Sequence, residues 1–350
     1  MTDPKPLSKQ MNRRSFLKLS GALGIGLASA SIWPQGAEAV VFNHKLKKVS
    51  STRLAMGTFL SMTLIHSSRD KAQEAMELAF DEVERLTGLM SRFDEKTAVA
   101  QLNKEGQLKG IPPEIEQVVA QALYFNKISQ GAFDITVKPL VDLFRERFRK
   151  DGKVDIHDRE FIEALDLVGS HSIELKKGNI HFRKEGMGIT LDGIAKGYIV
   201  DRASEILNRH HIENYLINAG GDIRTAGQKE DKKPWRVAIQ DPFKRKNYPD
   251  VIHMGDGAVA TSGNYEVYFD QEKMFHHIIS PRSGLSPELT TSVSVIAPTA
   301  VNADALATGV FVMKPLEGAR FIESLPQAET MIIVKDGSLL KSRGWRSAAI

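Results

Sequence analysis

The sequence predicts an α+β fold, and three observations lead to that class. Residues 69–90 place apolar side chains on one face at helical spacing, which indicates a long amphipathic helix. In the second half of the chain, short apolar segments follow one another with turns between them, as strands do. A further helix is predicted over residues 303–313, before a closing strand over 329–335. Strands that run together indicate mixed helix and sheet rather than a regular βαβ repeat.

The first 39 residues resemble an export signal. Arg13 and Arg14 form a twin-arginine pattern, a moderately apolar run follows over residues 19–33, and Ala37 and Ala39 suit a cleavage site. The run is too short and too weakly apolar for a membrane-spanning helix. A basic N-terminus that precedes a core helix is the alternative interpretation. We expect residues 1–39 to be a twin-arginine signal peptide, residues 40–350 to form the mature domain, and the protein to reach the periplasm.

Composition excludes several classes of site. The 350 residues contain no cysteine, which excludes disulfides, thiolate metal sites and cysteine nucleophiles. The net charge of +4 comes partly from the signal, so it does not indicate nucleic-acid binding. The remaining length suits one large domain or two intimately packed ones.

The elements are predicted in the following order. Strands flank Met56-Gly57-Thr58 within residues 49–67, and the helix over residues 69–90 leads into a loop from residue 91. A second helix opens at Pro112-Pro113, residues 131–140 read as an apolar loop, and the charged residues 145–160 are expected at the surface. Short strands are predicted at residues 172–175, 180–182, 215–218, 235–240, 258–261, 265–269, 276–280 and 291–297.

Residues 189–201 are the stretch around which we expect the site to form. β-forming residues precede a glycine turn and then helical apolar spacing, which predicts a strand, a tight turn and a helix N-terminus. Such an N-terminus suits a phosphate, and Gly193 and Gly197 would let backbone approach a ligand. Lys196 lies in the first helical turn, where a cation is unfavourable, so we expect an anion opposite it. An ordinary turn with a solvated lysine remains an equal alternative.

Other polar residues collect in loops. Residues 218–222 contain paired glycines that suit a phosphate, a ribose or a plain turn, and residues 261–265 form a similar polar loop. His276 and His277 would point to opposite faces of a strand, so only one of them would face a site, as a general base. Asp304 and Thr308 share a helix face and offer hard oxygen ligands for Mg²⁺. Capping of the helix by Asp304 is the alternative.

Taken together, these segments resemble the ApbE family of FAD:protein FMN transferases. The resemblance covers nearly all of the chain from residue 51, and no motif is specific alone. The matching motifs, in order, are Met56-Gly57-Thr58, residues 91–103, residues 131–140, Asp192-Gly193-Ile194-Ala195-Lys196-Gly197, residues 218–221, residues 261–265, His277-Ile278-Ile279 and residues 303–309. The resemblance implies an α+β fold of two intimately packed parts with the flavin site between them. It also implies Mg²⁺-dependent transfer of FMN from FAD to a threonine or serine hydroxyl of a partner protein, with release of AMP. The acceptor is expected to be a periplasmic or membrane-bound redox subunit.

The resemblance also assigns roles to residues. His277 falls at the position of the catalytic base. Asp304 and Thr308 fall at metal-ligand positions, and Gly193 falls at the turn position whose oxygen completes the metal site. The positions that contact FAD are Met56, Phe93, Ala132, Phe133, Asp134, Thr190, Lys196 and Ile279.

Four residues depart from the pattern that the resemblance implies. Thr190 replaces an acidic FAD-contacting residue, with the carboxylate two residues later at Asp192. Phe93 replaces a tyrosine, Ser280 an aspartate, and Ala307 a further metal-binding aspartate, which favours a single metal ion. Two alternatives to a transferase therefore stay open. One is a periplasmic FAD hydrolase that gives FMN and AMP, and the other is a non-catalytic flavin-binding protein.

Overall fold

A computed structural model describes residues 40–42, 46–92, 94–150, 154–229, 233–245, 248–265 and 276–348. All of these residues belong to one compact unit, Gly36–Ile350. The predicted signal peptide, Phe93 and nearly all of the strand predicted at residues 265–269 lie outside the described residues. Within those residues, no helix is long and apolar enough to cross a bilayer.

The strands and helices are numbered here in chain order. The strands are β1 (Val40–Phe42), β2 (Leu46–Ala55), β3 (Thr58–His66), β4 (Gln107–Lys109), β5 (Ile173–Lys176), β6 (Asn179–Phe182), β7 (Asn214–Ala219), β8 (Asp222–Ala226), β9 (Trp235–Ile239), β10 (Asp250–Met254), β11 (Gly257–Gly263), β12 (Thr290–Ala297), β13 (Glu329–Val334) and β14 (Leu339–Lys341). The helices are α1 (Arg69–Met90), α2 (Ala98–Glu105), α3 (Pro113–Ile128), α4 (Lys138–Lys150), α5 (Arg159–Asp166), α6 (Ala195–Arg209), α7 (Ala300–Val312) and α8 (Pro315–Glu323). Two short 3-10 turns occupy Ile135–Val137 and Ser170–Ser172.

One large sheet organises the described part of the chain. Its nine strands follow the order β1-β2-β3-β7-β8-β11-β12-β13-β14, and every neighbouring pair is antiparallel. The strands β9 and β10 form a separate ribbon, and β4, β6 and β5 form a small third sheet. The combination of helices and antiparallel strands confirms the predicted α+β class.

The two faces of the large sheet are covered differently. Helices α1, α6 and α7 pack on one face, where alternate residues of β3, such as Leu60, Met62 and Leu64, are fully buried. The ribbon β9–β10 covers part of the other face through a cluster that includes Trp235 and Trp345. A third apolar cluster, which we call the α4–α5 cluster, consists of Leu140, Val141, Phe144, Phe161, Ala164 and Ile279.

Some elements differ from the sequence prediction. The predicted loop over residues 131–140 contains the 3-10 turn Ile135–Val137 and the start of α4, and part of the loop after residue 91 forms α2. The strand predicted at residues 276–280 is wrong, because residues 277–280 are irregular. Ile278 is buried in the main core and Ile279 in the α4–α5 cluster. Ile278 and Ile279 are apolar because each is buried in a different cluster. This gives the segment the apolar composition of a strand although it does not form one.

Candidate active site

A cleft of about 560 Å³ opens beside the turn between β2 and β3. This volume lies in the range of small-molecule sites. Apart from Phe93, which the structure does not describe, every residue that the sequence assigned to the site lines this cleft. They are Met56, Ala132, Phe133, Asp134, Thr190, Gly193, Lys196, His277, Ile279, Asp304 and Thr308.

The turn before α6 reaches the cleft without the strand predicted in front of it. The Thr190 N–H donates to the Ile135 carbonyl over 2.8 Å, which fixes the approach to the turn. Gly193 lies directly against Thr308, since a Cβ atom added at Gly193 would lie 3.0 Å from Thr308 Oγ1 and Cγ2. The backbone of the turn therefore lies directly against the Thr308 side chain of α7.

Close contact between α6 and α7 brings the polar groups of the two helices together. A Cβ atom at Gly197 would lie 2.4 Å from the Ala300 carbonyl oxygen, so this glycine permits helix packing rather than the predicted approach of a ligand. The Gly197 N–H donates to Asp304 Oδ2 over 2.9 Å. The Asp201 carboxylate accepts from the backbone N–H groups of Ala300 at 2.9 Å and Val301 at 2.8 Å.

These contacts exclude the simpler interpretation of Asp304. The side chain of Thr299 caps α7 by accepting from the Asn302 N–H over 3.3 Å, and Asp201 binds the N–H groups of the first turn. Asp304 is therefore not the N-cap of its own helix. Its carboxylate faces the cleft and the start of α6.

Lys196 has a carboxylate partner within the protein. Its Nζ lies 2.9 Å from Asp222 Oδ2, and the Asp222 side chain is only 3% exposed. The anion predicted opposite Lys196 is thus, in part, Asp222, a residue to which the sequence analysis assigned no role. The available signal was its position directly after the Gly220-Gly221 turn, which does not indicate a distant lysine.

Burial governs the charge of Asp304. Burial, reinforced by the nearby Asp222 carboxylate, raises the pKa of Asp304 above its usual range, while Lys196 and the Gly197 N–H act in the opposite direction. An ionised carboxylate at this position is costly unless a cation lies beside it. The local charge therefore suits a bound metal ion.

The oxygen groups around Asp304 fit Mg²⁺. They comprise the Asp304 carboxylate, the Thr308 hydroxyl, which lies 3.3 Å from Ser262 Oγ, and the turn at Gly193. No cluster of three or more histidine or acidic side chains suited to a metal occurs among the described residues. Mg²⁺ does not require one, since it binds through one or two carboxylates and completes its shell with water and substrate phosphates.

The two neighbouring histidines have different surroundings. His276 is 2% exposed, and its Nδ1 accepts from the Ile278 N–H at 3.3 Å. The proton must therefore be on Nε2, which lies 3.2 Å from the Pro287 carbonyl oxygen and donates to it. His277 is half-buried and lines the cleft. One histidine thus faces the site, as expected, although hydrogen bonding rather than strand alternation separates the pair.

Comparison with known proteins now identifies the family. Residues 56–332 match the ApbE family. The chain belongs to the ApbE family. It is 29% identical over 310 residues to the FAD:protein FMN transferase of Haemophilus influenzae, covering 84% of this chain and 89% of that protein. It is 30% identical over 288 residues to the FAD:protein FMN transferase of Vibrio cholerae, covering 80% and 85%.

Solved structures agree with this assignment. The ApbE protein from Thermotoga maritima superposes with a TM-score of 0.76 at 31% identity, covering 85% of this chain and 97% of that one. The flavin transferase ApbE from Vibrio cholerae gives a TM-score of 0.73 at 28% identity, covering 85% and 98%. The resemblance to the ApbE family and the α+β fold are thereby confirmed.

In this ApbE-family chain, the Asp134 carboxylate organises a wall of the cleft. Its Oδ1 accepts from the Thr136 N–H at 2.8 Å, the Thr136 hydroxyl at 2.6 Å and the Ser170 hydroxyl at 2.7 Å. Its Oδ2 accepts from Asn126 Nδ2 at 2.9 Å and the Ser170 N–H at 3.0 Å. The side chain is thus committed to the protein, and its effect on a flavin would be exerted through the backbone that it holds.

The displaced carboxylate, Asp192, takes part in an ion-pair bridge that the sequence did not indicate. Arg92 Nη2 lies 3.1 Å from Asp192 Oδ2, and Arg92 Nη1 lies 3.3 Å from Asp142 Oδ1. The Arg92 side chain is only 6% exposed, so the guanidinium is held tightly. It connects the end of α1, helix α4 and the turn before α6 along the cleft.

The paired glycines of residues 218–222 form a plain hairpin turn. Gly220 and Gly221 have φ values of +63° and +106° and join β7 to β8. The Gly221 N–H donates to Asn218 Oδ1 over 3.0 Å, which closes the turn. The phosphate-binding alternative for this loop is not needed, and its contribution to the cleft is the adjoining Asp222.

Proposed function

We propose that this chain transfers FMN from FAD to a threonine or serine hydroxyl of a partner protein, with release of AMP, in a reaction that requires Mg²⁺. The chain matches two FAD:protein FMN transferases over most of their length. The observation that carries the proposal is that one cleft combines His277 with the Asp304–Thr308 oxygen pair.

The chemistry begins with the acceptor hydroxyl, which is a poor nucleophile at neutral pH. The imidazole of His277 takes the hydroxyl proton as the oxygen attacks the phosphorus of the FMN half of FAD. A new oxygen–phosphorus bond forms, the bond from that phosphorus to the bridging oxygen breaks, and AMP leaves with the bonding electron pair. The N-terminus of α6 and the Lys196 ammonium supply positive charge beside the pyrophosphate.

Asp304, Thr308 and the turn at Gly193 would hold the metal. Bound there, Mg²⁺ would neutralise the charge that develops on the phosphate oxygens as AMP departs. Helix α7 contains a single aspartate, Asp304, and Ala307 replaces the further metal-binding aspartate that the family pattern implies. The helix therefore provides for one metal ion.

The test is to incubate the purified protein with FAD, Mg²⁺ and a threonine-containing acceptor peptide. Peptide that gains the mass of FMN in a Mg²⁺-dependent manner, with one AMP released for each transfer, supports the proposal. Equal amounts of free FMN and AMP with unmodified peptide would show a hydrolase instead. FAD binding with neither product would show a flavin-binding protein.

Replacement of Asp304 by Asn tests the metal site. The amide keeps the volume and can still accept from the Gly197 N–H, so we expect the melting temperature of the metal-free protein not to fall. Because the charge that holds the ion is removed, Mg²⁺-dependent transfer should be lost. Full turnover by Asp304→Asn at ordinary Mg²⁺ concentrations would contradict the assignment. Mass spectrometry of the acceptor peptide and a thermal melt provide the two measurements.

We also propose export to the periplasm by the twin-arginine route. The support is Arg13 and Arg14, the apolar run after them and the small residues at positions 37 and 39. The acceptor would then be a periplasmic or membrane-bound redox subunit. Transport of a folded protein suits an enzyme whose site is assembled from distant parts of the chain.

A further inference from the structure

Asp222 is a buried carboxylate that the proposed reaction does not use. It is the first residue of β8, lines the cleft, and has a side chain only 3% exposed. Its Oδ2 lies 2.9 Å from Nζ of Lys196, which is 28% exposed. A charge buried to this degree is retained only when it is paired.

The same ammonium is within electrostatic reach of a second carboxylate. Lys196, Asp222 and Asp304 all line the cleft, and Lys196 directly precedes Gly197, the residue that is hydrogen-bonded to Asp304. One cation and two buried carboxyl groups therefore share this part of the cleft, and the cation forms an ion pair with Asp222. The Asp304 carboxylate receives a backbone N–H from Gly197 instead.

We propose that Asp222 is a positioning residue that holds the Lys196 ammonium away from Asp304, so that the Asp304 carboxylate stays available to a divalent cation. The inference rests on the proposed metal site, but it does not depend on flavin transfer. It gives Lys196 a defined place before substrate arrives, at the side of the cleft where Asp222 lies.

The consequence of losing Asp222 follows from charge. With an asparagine at this position, the attraction that holds Lys196 at β8 disappears, and Asp304 is the remaining buried carboxylate among the described residues that line the cleft. A metal ion must then displace an internal cation before it can bind. We expect Asp222→Asn to weaken divalent-cation affinity by about tenfold or more, since a close charge pair at partial burial readily reaches this magnitude.

The experiment measures metal binding directly. Wild type and variants are titrated with Mn²⁺ without FAD or acceptor, because Lys196 is also assigned to FAD binding, and the free ion is followed by its electron paramagnetic resonance signal. Displacement by Mg²⁺ confirms that the two ions share the site. We expect Asp222→Asn to bind Mn²⁺ about tenfold more weakly and the double variant Asp222→Asn, Lys196→Met to recover most of the lost affinity, because the competing ammonium is gone.

Two results from the Asp222 variants would overturn the inference. Unchanged affinity in Asp222→Asn would show that Asp222 does not control the site. A double variant as weak as Asp222→Asn would show that Asp222 itself is a metal ligand. Absence of Mn²⁺ binding by wild type would remove the metal site, whereas binding without transfer would leave the inference intact and remove only the proposed activity.

Asp250 provides a matched control. Its side chain is 7% exposed and its Oδ2 lies 2.8 Å from Lys341 Nζ, so it too is a buried carboxylate paired with a lysine. It is not among the residues that line the cleft. Asp250→Asn should therefore bind Mn²⁺ as wild type does. An equal loss of affinity in this control would assign the effect to general loosening of the fold and overturn the inference.

Discussion

At the scale of single residues, His276 and His277 show how neighbours acquire different roles. Both ring nitrogens of His276 are engaged by the protein, and its backbone N–H and carbonyl are both bonded to Ser286 Oγ, at 3.0 and 2.9 Å. His277 instead lines the cleft, next to a segment anchored by Ile279 in the α4–α5 cluster. The hydrogen bonds of His276 hold the irregular segment in place, and that segment positions His277 in the cleft.

Replacement of His277 by alanine should separate chemistry from binding. We expect FAD binding to persist, because the residues assigned to flavin contact lie mostly elsewhere in the cleft. The transfer rate should fall about 10²-fold or more, the usual contribution of a positioned general base. Single-turnover transfer to an acceptor peptide and FAD fluorescence titration measure the two quantities. Normal transfer by this variant would remove His277 from the mechanism.

The variant His276→Ala should lower the free energy of unfolding more than it lowers the transfer rate. It loses two ring hydrogen bonds in a buried position, which costs about 1–3 kcal/mol of the free energy of unfolding when partners are left unsatisfied. A thermal melt of this variant should therefore show a clear decrease, while His277→Ala should melt close to wild type. Transfer is compared well below both melting temperatures. Equal melting and equal activity losses in the two variants would indicate one structural pair.

At the scale of elements, the site depends on how closely α6 approaches α7. Gly197 removes the side chain at the contact, Asp201 binds the first N–H groups of α7, and Asp304 binds the Gly197 N–H. Because Lys196 is next to Gly197 on α6, the spacing of the two helices also sets the distance from its ammonium to Asp304. Helix packing and site electrostatics are therefore coupled.

Replacement of Gly197 by alanine should disturb both the packing of α6 against α7 and the electrostatics of the site. Since the added Cβ meets backbone at 2.4 Å, the helices must separate, and overpacking of this kind costs about 1–3 kcal/mol. We expect a lower melting temperature and weaker Mn²⁺ binding. Gly88 on α1 is the control, because a Cβ there meets nothing within 4 Å. Gly88→Ala should stabilise the protein slightly and leave metal binding unchanged. Equal effects of the two substitutions would contradict the helix-contact explanation.

Strand β10 is tied to the C-terminal segment by one carboxylate. Asp250 Oδ2 accepts from Trp345 Nε1 at 2.7 Å and from Ser347 Oγ at 2.8 Å, and pairs with Lys341. Burial raises the pKa of Asp250, but these hydrogen bonds outweigh that effect, so the pKa lies below its usual range. The ionised group therefore stabilises the fold above the pKa of the unfolded chain, and the contribution is lost as the pH falls through the folded pKa.

The difference in the free energy of unfolding between wild type and Asp250→Asn should depend on pH in the same direction. At pH 7 we expect the variant to lose about 1.5–3 kcal/mol of the free energy of unfolding, the usual range for hydrogen bonds to a charged group. This difference in the free energy of unfolding should become smaller below about pH 4, as the wild-type carboxyl takes up its proton. Urea unfolding at several pH values measures it. A gap that stays constant through this range would show that the charge of Asp250 does not contribute.

At the scale of the whole molecule, the cleft is built where distant segments meet. Met56 comes from the β2–β3 turn, Thr190 from the approach to α6, Asp222 from β8, His277 from an irregular segment and Asp304 from α7. The antiparallel sheet places the turns of β2–β3 and β7–β8 side by side, since Leu60 pairs with Ala219. Loss of the tertiary fold would therefore remove the site as a unit.

Export is the other property of the whole chain that can be tested. Replacement of Arg13 and Arg14 together by lysine should leave uncleaved precursor in the cytoplasm, because the twin-arginine route reads that pair. Cell fractionation with an antibody to the protein, together with the mass of the processed N-terminus, measures the outcome. The double variant of Lys47 and Lys48 to arginine, which lie in β2, serves as a control and should be processed normally. Unchanged processing of the twin-arginine variant would show another route or no signal.

The amino-acid sequence was sufficient for the fold class, the long helix α1, most strands and many of the residues that line the cleft. Those features depend on local periodicity, on turn chemistry and on the order of motifs along the chain. Lys196, His277 and Asp304 could be selected in this way, whereas Thr190 was assigned only by the resemblance to the ApbE family. The sequence could not show that residues 277–280 would leave the sheet, since their apolar pattern is that of a strand.

Other features depended on contacts between segments far apart in the chain. Lys196 of α6 pairs with Asp222 of β8, Arg92 pairs with Asp192, and the five hydrogen bonds to Asp134 come from three separate segments. Gly197 likewise serves α7 rather than a ligand. Burial and the partner of a charge are set by packing between distant segments, and that packing decides which side chains face the cleft and which hold it together.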